Sequence, residues 1–190
     1  HHRVKNNLQT VSALLRLQSR RSSEDAVKVA LAEAERRVQA IATVHAALSQ
    51  NVDESVDFDE VARTIVRMAG AIASTDHSVE VITTGSFGTI QADQAQALAT
   101  VLNELVANSV EHGLAERDGL IEVRAVREGN SMTVTVADDG VGFVPGTPMS
   151  GLGTQIVHQM VRGELKGSIE WTPREGGGTL VTLHANLDPA

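Results

Sequence analysis

The sequence predicts an α+β protein in two parts, an antiparallel helical hairpin followed by a two-layer α/β sandwich. Apolar residues recur every three or four positions over the first 50 residues, as they do in amphipathic helices. Two later segments alternate strictly between apolar and polar residues, as half-buried strands do. Further helical segments flank those strands, so helices can cover one face of a sheet. We therefore place two domains, at residues 1–50 and 54–187.

The bulk composition excludes several classes of protein. With 42% hydrophobic and 21% charged residues, the 190-residue chain is typical of a globular protein. A net charge of -8 argues against a nucleic-acid surface. No run reaches the roughly 18 apolar residues of a membrane span. The lack of cysteine excludes disulfides and thiolate metal sites and fits the cytoplasm. We expect neither a nucleic-acid nor a membrane partner for this part of the protein.

The first predicted helix runs from the start of the chain to about Arg21. Its apolar residues are spaced by four, three and four positions and define one face: Val4, Leu8, Val11 and Leu15. His1 falls on that face. His2 is rotated by roughly 100° toward the flank, where solvent can reach it. On local grounds alone an exposed histidine is most often an ordinary surface residue. Because the amphipathic helical pattern already includes residue 1, we interpret the chain as the C-terminal part of a longer protein.

A second helix follows the turn and N-cap supplied by "SSED". Its apolar positions keep a heptad spacing: Val27, Leu31, Ala34, Val38, Ile41, His45 and Leu48. His45 lies on this line, so a buried core histidine is the simplest interpretation of it. A two-helix hairpin has too small a core to be stable alone, whereas two hairpins form a four-helix bundle. We therefore predict a homodimer.

The rest of the chain predicts alternating helices and strands. "FDEVARTIVRMAGAIA" is an amphipathic helix, and "SVEVITTG" and "GTIQAD" are expected to be a pair of short strands around Gly85 and Gly88. The long helix "DQAQALATVLNELVANSVEHG" should end with Gly113 as its C-cap. "GLIEVRAV" and "SMTVTVAD" are antiparallel strands joined by the turn "EGN". A helix over residues 153–162 and the strands "GSIEWT" and "GTLVTLHA" complete the sandwich.

Two polar residues on the long helix could bind a cation. Glu104 and Asn108 are four residues apart and therefore lie on one face. A carboxylate beside a carboxamide suits Mg²⁺, which takes one or two protein oxygens and leaves its other positions to water and phosphates. Glu111 and His112 follow at the end of the helix. The alternative is a helix face that is merely solvated.

The segment "ADDGVGF" follows a predicted strand directly. Asp138, at the strand end, can accept a hydrogen bond from an exocyclic amine such as that of adenine. Gly140 and Gly142 let the backbone approach a flat ligand closely and adopt positive φ. Taken alone, the segment could equally be an ordinary turn.

Glycines also precede the last helix and the last strand. Gly151 and Gly153 stand at a helix N-terminus, where free amides favour phosphate. No Gly-Lys-Ser/Thr follows, so this is not a Walker loop. "GGGT" at residues 176–179 adds a further glycine cluster, which could also be a plain turn.

The order of these clusters resembles the ATPase domain that sensor histidine kinases share with gyrase, Hsp90 and the mismatch-repair ATPase, the GHKL or HATPase_c type. The opening "HRVKNNLQ" with "LLRLQSRR" is similar to the phosphoacceptor region of the HisKA_2-type kinases, which carry His-Arg-x-x-Asn. The resemblance covers essentially the whole chain. It implies a Bergerat-type sandwich after a phosphoacceptor hairpin.

The resemblance also implies roles for individual residues. His2 would accept the γ-phosphoryl group of ATP, Asn108 would coordinate Mg²⁺ and Glu104 would support that catalytic site. Asp138 would bind the adenine amino group. The rest of the nucleotide site would be formed by His112, Gly140, Gly142, Gly151, Gly153 and Thr179. Arg3 stands where common histidine kinases have a glutamate, so the general base is unassigned. Residues 144–150 are very short for the lid that covers ATP in most histidine kinases.

The resemblance implies the cytoplasmic core of a two-component sensor histidine kinase. Its cofactors would be ATP and Mg²⁺. Its partners would be a second copy through the hairpin and the receiver domain of a response regulator, with a sensor domain N-terminal to this chain. The main alternative is a degenerate GHKL-fold module that only binds partners or passes on phosphoryl groups. A second is an ATPase whose hydrolysis drives conformational change.

Overall fold

The computed structural model describes residues 2–28, 30–32, 34, 35, 38, 42, 55–72, 77–115, 117–144 and 151–189. The chain divides into two compact units, His1–Val52 and Asp53–Ala190. No helix in the described ranges is both long and apolar enough to cross a membrane.

The first unit contains helix α1 (His2–Arg21) and a second helical segment, whose described residues lie between positions 25 and 42. The two are joined by side chains. Arg16 Nε donates a hydrogen bond of 2.8 Å to Glu35 Oε1, and Arg16 Nη2 pairs with the same oxygen. Ser19 Oγ donates to the carbonyl of Lys28 at 3.4 Å. The described residues thus form the predicted helical hairpin.

The predicted apolar face of α1, to which Val11 belongs, is not fully buried within the single chain. Ser12 is only 6% exposed, whereas Val11, Leu14 and Leu17 are 42%, 55% and 44% exposed. Val11, Leu14 and Leu17 therefore form an apolar surface on α1 that is partly exposed in the single chain. Of the predicted heptad positions, Ile41, His45 and Leu48 lie outside the described residues, as does His1.

Within its described residues, the second unit combines three helices with seven strands. The helices are α2 (Phe58–Ile72), α3 (Ala92–Asn108) and α4 (Leu152–Gly163), and a π-helical turn, Ser109–Gly113, prolongs α3. The strands are β1 (Ser55–Asp57), β2 (Val79–Gly85), β3 (Thr89–Gln91), β4 (Gly119–Glu128), β5 (Ser131–Asp138), β6 (Ser168–Pro173) and β7 (Thr179–Asn186). α3 packs against both α2 and α4.

A five-stranded mixed sheet has the order β2-β4-β5-β7-β6. β2 runs parallel to β4, and the other neighbours are antiparallel. As the alternation predicts, one set of alternate residues is buried: Ile121, Val123, Ala125, Met132, Val134, Val136, Val181, Leu183 and Ala185. Because β5 lies in the middle of the sheet, its last residue, Asp138, stands at the centre of one sheet end. The α+β architecture is confirmed.

One expected strand pair does not form. β2 and β3 do not pair with each other, since β2 pairs with β4 and β3 pairs with β1. Gly85 has φ +79°, and a Cβ there would lie 1.9 Å from the carbonyl oxygen of Ala125 on β4. Gly85 is thus needed where the backbone passes β4 closely, in addition to turning the chain. The sequence pattern correctly identified both strands but not their partners.

Candidate functional site

Asp138 is the buried centre of the candidate site. Its side chain is 2% exposed, and its Oδ1 accepts hydrogen bonds from the backbone amides of Gly140 at 2.9 Å and Thr179 at 3.2 Å. A buried carboxylate requires such donors, because losing water without replacement costs several kcal/mol. Among the described residues no hydrogen bond is made to Oδ2. That oxygen is available to a donor on a bound molecule.

Three glycines from three different segments surround Asp138. A Cβ on Gly113 would lie 2.8 Å from Asp138 Cγ, and one on Gly178 would lie 1.9 Å from the Asp138 carbonyl oxygen. A Cβ on Gly140 would lie 2.1 Å from the carbonyl oxygen of Gly113. Real Cβ atoms do not approach other atoms so closely, so only glycine fits at these positions. Gly142 has a positive φ of +69°, and a Cβ there would lie 3.0 Å from the carbonyl oxygen of Gly178.

The π-helical turn carries the chain from α3 to this cluster. Its last residue, Gly113, accepts a hydrogen bond of 2.9 Å from the amide of Val141. Gly113 was predicted to be the C-cap of this helix, and this was wrong, because Gly113 is the last residue of the π-helical turn and Leu114 is the C-cap. Glycine is required at position 113 because the Asp138 side chain packs directly against its backbone.

Helix α3 holds the predicted cation ligands. Glu104 is buried, at 5% exposed, and Asn108 is half-buried at the last α-helical position. The turn that starts after Asn108 ends at Gly113, so the two residues are linked to the Asp138 cluster through five residues of chain. His112 is in the same turn and is exposed.

The N-terminus of α4 offers free backbone amides. Gly151 is its N-cap residue, exposed and with extended backbone, and no side chain caps the first turn. Gly153, in that first turn, is buried. Uncapped amides with the positive end of the helix dipole favour an anion. The predicted lid residues 145–150 lie outside the described residues.

The structure thus joins some of the predicted residues and not others. Asp138, Gly140 and Thr179 meet around one carboxylate, and Gly142 lies next to Gly178, which contacts the Asp138 backbone. His2 belongs to the other unit, as the first described residue of α1. Sequence reasoning missed Gly113 and Gly178 as members of the cluster. The "GGGT" run was the available signal for Gly178, but glycine spacing does not show which backbone a glycine will touch.

Asp139, the residue after Asp138, holds the beginning of strand β4 in place. Asp139 Oδ1 accepts a hydrogen bond of 2.8 Å from the amide of Leu120, and the Asp139 amide donates to the Leu120 carbonyl at 3.2 Å. These bonds fix the beginning of β4 to the loop that follows β5. The adjacent aspartates therefore differ in role, since Asp138 lines the cluster and Asp139 is structural.

Comparison with protein families gives two matches. Residues 1–72 match the HisKA_2 model, described as histidine kinase. Residues 93–189 match the HATPase_c model, described as histidine kinase-, DNA gyrase B- and HSP90-like ATPase.

Comparison with individual proteins agrees. Sensor histidine kinase PdtaS of Mycobacterium tuberculosis is 44% identical over 188 residues, covering 96% of this chain and 38% of PdtaS. Blue-light-activated histidine kinase 2 of Erythrobacter litoralis is 28% identical, covering 98% and 55%. The chain thus spans well under two thirds of the length of these relatives.

Solved structures show the same fold. The histidine kinase domain of the blue-light-activated kinase EL346 of Erythrobacter litoralis superposes with a TM-score of 0.65 at 21% identity, covering 98% of this chain and 93% of that one. The ATP-binding domain of PrrB from Mycobacterium tuberculosis superposes with a TM-score of 0.58 at 21% identity, covering 72% and 100%.

Proposed function

Because the chain belongs to the histidine kinase-, DNA gyrase B- and HSP90-like ATPase family, we propose that it is the catalytic core of a two-component sensor histidine kinase. It phosphorylates itself on His2 at the expense of ATP and passes the group to an aspartate of a response-regulator receiver domain. The observation that carries this proposal is the buried carboxylate of Asp138, enclosed by three glycines, in a chain that starts with a histidine-bearing hairpin. The reaction takes place in the cytoplasm, where ATP is available.

In this proposal Asp138 selects adenine. Its Oδ1 is occupied by two backbone amides, which leaves Oδ2 to accept a hydrogen bond from the exocyclic amine. The glycines around it leave room for a flat base, and Thr179 lies beside it. A base with a carbonyl at that position, such as guanine, would set oxygen against oxygen.

The phosphates are bound at the other end of the site. The uncapped amides at Gly151 and Gly153 and the side chain of His112 approach the phosphate chain. The Asn108 carboxamide oxygen, with the Glu104 carboxylate behind it, is a donor set that fits Mg²⁺, which needs few protein ligands when phosphates supply the others. When bound, Mg²⁺ would neutralise phosphate charge during transfer.

The chemical step in this proposal is an in-line displacement. A nitrogen of the His2 imidazole attacks the γ-phosphorus, an N–P bond forms, and the bond from the γ-phosphorus to the bridging oxygen breaks to release ADP. The imidazole proton is lost, and no base is assigned because Arg3 takes the position of the usual acid. We assign residues 1–50 to dimerisation and phosphotransfer and residues 54–187 to ATP binding and catalysis. A sensor domain would precede residue 1 in the full-length protein.

Incubation with ATP labelled at the γ-phosphate tests this function directly. We expect label on the protein that is released by acid and survives alkali, as the N–P bond of phosphohistidine requires. A protein that binds ATP but takes up no label would be a degenerate binding module. Release of inorganic phosphate without protein labelling would indicate a conformational ATPase. Either of these results would contradict the proposal.

Replacing Asp138 by asparagine should abolish the preference for adenine nucleotides. The new amide group presents a donor to the exocyclic amine, and it also alters the bonds from Gly140 and Thr179. We expect ATP to bind about tenfold to hundredfold more weakly, by calorimetry, because a buried charge-assisted hydrogen bond contributes roughly 1.5–3 kcal/mol. The matched control is Asp139→Asn, which leaves Asp138 unchanged. If unlabelled GTP displaces bound ATP from the unmutated protein as effectively as unlabelled ATP does, the role assigned to Asp138 is wrong.

Glutamate at Val11 and Leu14 should convert the protein from dimer to monomer. Both side chains are largely exposed in the single chain, so the double change hardly affects a monomer. Buried in a four-helix bundle, each carboxylate would cost several kcal/mol. Light scattering should give a dimer mass for the unmutated protein and a monomer mass for Val11→Glu with Leu14→Glu. Ala13→Glu, an exposed change between them on a different face of α1, should stay dimeric. A monomeric unmutated protein well above micromolar concentration would refute the bundle.

A further inference from the structure

The turn between β6 and β7 forms one wall of the Asp138 cluster. It comprises residues 174–178 and is closed by two backbone hydrogen bonds, from the Arg174 amide to the Gly178 carbonyl at 3.0 Å and from the Gly177 amide to the Arg174 carbonyl at 3.1 Å. Gly178 then touches the Asp138 backbone, and Thr179 donates to Asp138 Oδ1. Arg174 therefore begins the turn whose end holds the carboxylate.

An ion pair fixes this turn to a distant strand. Arg174 Nη2 pairs with Glu122 Oε2 on β4, although β5 and β7 lie between the turn and β4 in the sheet. The Arg174 side chain is 27% exposed and that of Glu122 is 46% exposed, so the pair is only partly shielded from water. The planar guanidinium also favours one orientation of the carboxylate.

The β4 end of this link is itself held in place. Glu122 is in register with Ala137, the residue immediately before Asp138. Two residues earlier, Leu120 is bound on both its amide and its carbonyl by Asp139, the residue immediately after Asp138. Glu122 is thus attached to the strand that carries Asp138, and it provides a firm anchor for Arg174.

We propose that Arg174 and Glu122 are positioning residues that set the orientation of the Asp138 carboxylate, and through it the discrimination between adenine and bases that lack the exocyclic amine. The inference rests on the proposed binding of adenine by Asp138. When the ion pair holds the β6–β7 turn, the Thr179 amide keeps its bond to Oδ1 and Oδ2 faces the base. Without the pair the turn shifts, that bond lengthens and the carboxylate rotates. Arg174 itself touches neither base nor phosphate in this account.

The test compares the affinities of ATP and ITP, whose hypoxanthine base carries a carbonyl in place of the amine. Calorimetry on Arg174→Ala should show the ATP-to-ITP affinity ratio reduced about three- to tenfold, mainly through weaker ATP binding, as expected for a partly shielded charged pair. The matched control is Arg124→Ala, which removes the same charge from an exposed position on β4, two residues from Glu122. It should leave the ratio unchanged. Arg174→Glu combined with Glu122→Arg should restore most of the ratio.

The outcomes separate the inference from the function on which it rests. If the unmutated protein binds no ATP, or binds ITP equally well, the assigned role of Asp138 fails and the inference fails with it. If the unmutated protein discriminates and Arg174→Ala discriminates equally well, the inference alone is wrong. An equal loss of ATP and ITP affinity would likewise overturn it, since that indicates general damage. Should Arg174→Ala not fold by circular dichroism, the isosteric Glu122→Gln decides in the same way.

Discussion

Replacing His2 by glutamine is expected to abolish self-phosphorylation completely while leaving ATP affinity unchanged. Glutamine preserves much of the size and polarity of histidine but lacks the nucleophilic ring nitrogen, so no N–P bond can form. His2 belongs to the helical unit, and the nucleotide cluster lies entirely within Asp53–Ala190. Label from γ-phosphate-labelled ATP, counted per chain, should therefore fall to background. Calorimetric ATP binding should match that of the unmutated protein.

His1→Gln provides the matched control for that experiment. By sequence spacing, His1 falls on the same line as Val4 and Leu8, whereas His2 is rotated by roughly 100° from it. The His1 variant should thus retain its label. If His1→Gln removes the label and His2→Gln keeps it, both the helical rotation and the match to the His-Arg-x-x-Asn pattern have assigned the wrong histidine.

Asn108→Asp should produce the second largest loss, a reduction in the Mg²⁺-dependent labelling rate of about hundredfold. The change preserves one oxygen ligand but places a negative charge close to the phosphates and beside the buried Glu104. At about 5 Å and an effective dielectric constant near 20, two like charges repel by roughly 3 kcal/mol, which is about a hundredfold in rate. Initial rates should be measured at saturating ATP over a series of Mg²⁺ concentrations.

Asn103→Asp is the control for this charge. It introduces the same carboxylate on α3, five residues away and on a different face from Asn108. Its labelling rate and Mg²⁺ dependence should remain close to those of the unmutated protein. Equal losses in both variants would mean that charge on α3, and not a ligand at Asn108, controls the rate.

Secondary structure could be predicted where one face of an element is buried. The alternation in β4 and β5 correctly identified both strands, and the short turn "EGN" between them correctly indicated their antiparallel pairing. β2 and β3 were found as strands but assigned to each other. Their real partners, β4 and β1, come from other parts of the chain, and periodicity holds no information on which strand will be adjacent. Loop glycines at positions 85 and 88 suggested a hairpin that does not form.

The candidate site was predictable to a similar extent. Asp138 and Gly140 could be found because a strand end followed by an aspartate and glycines is a local feature. Gly113 and Gly178 could not be assigned, because each is required by a backbone that passes it from a distant segment. The Arg174–Glu122 ion pair could not be predicted either, since its members are 52 positions apart in the sequence. Site residues that are adjacent in the sequence can be recognised from the sequence, whereas contacts between distant segments are formed only when the sheet is assembled.

The π-helical turn after α3 makes chain length in this segment more critical than side-chain identity. The Leu114 amide bonds to the Ser109 carbonyl five residues earlier, so the turn contains one residue more than an α-helix would use for the same hydrogen bond. Removing one residue would tighten the turn into an α-helix and rotate Gly113 away from the carboxylate it packs against. We therefore expect the fold to tolerate exchanges at exposed positions such as His112 but not insertions or deletions between Asn108 and Gly113.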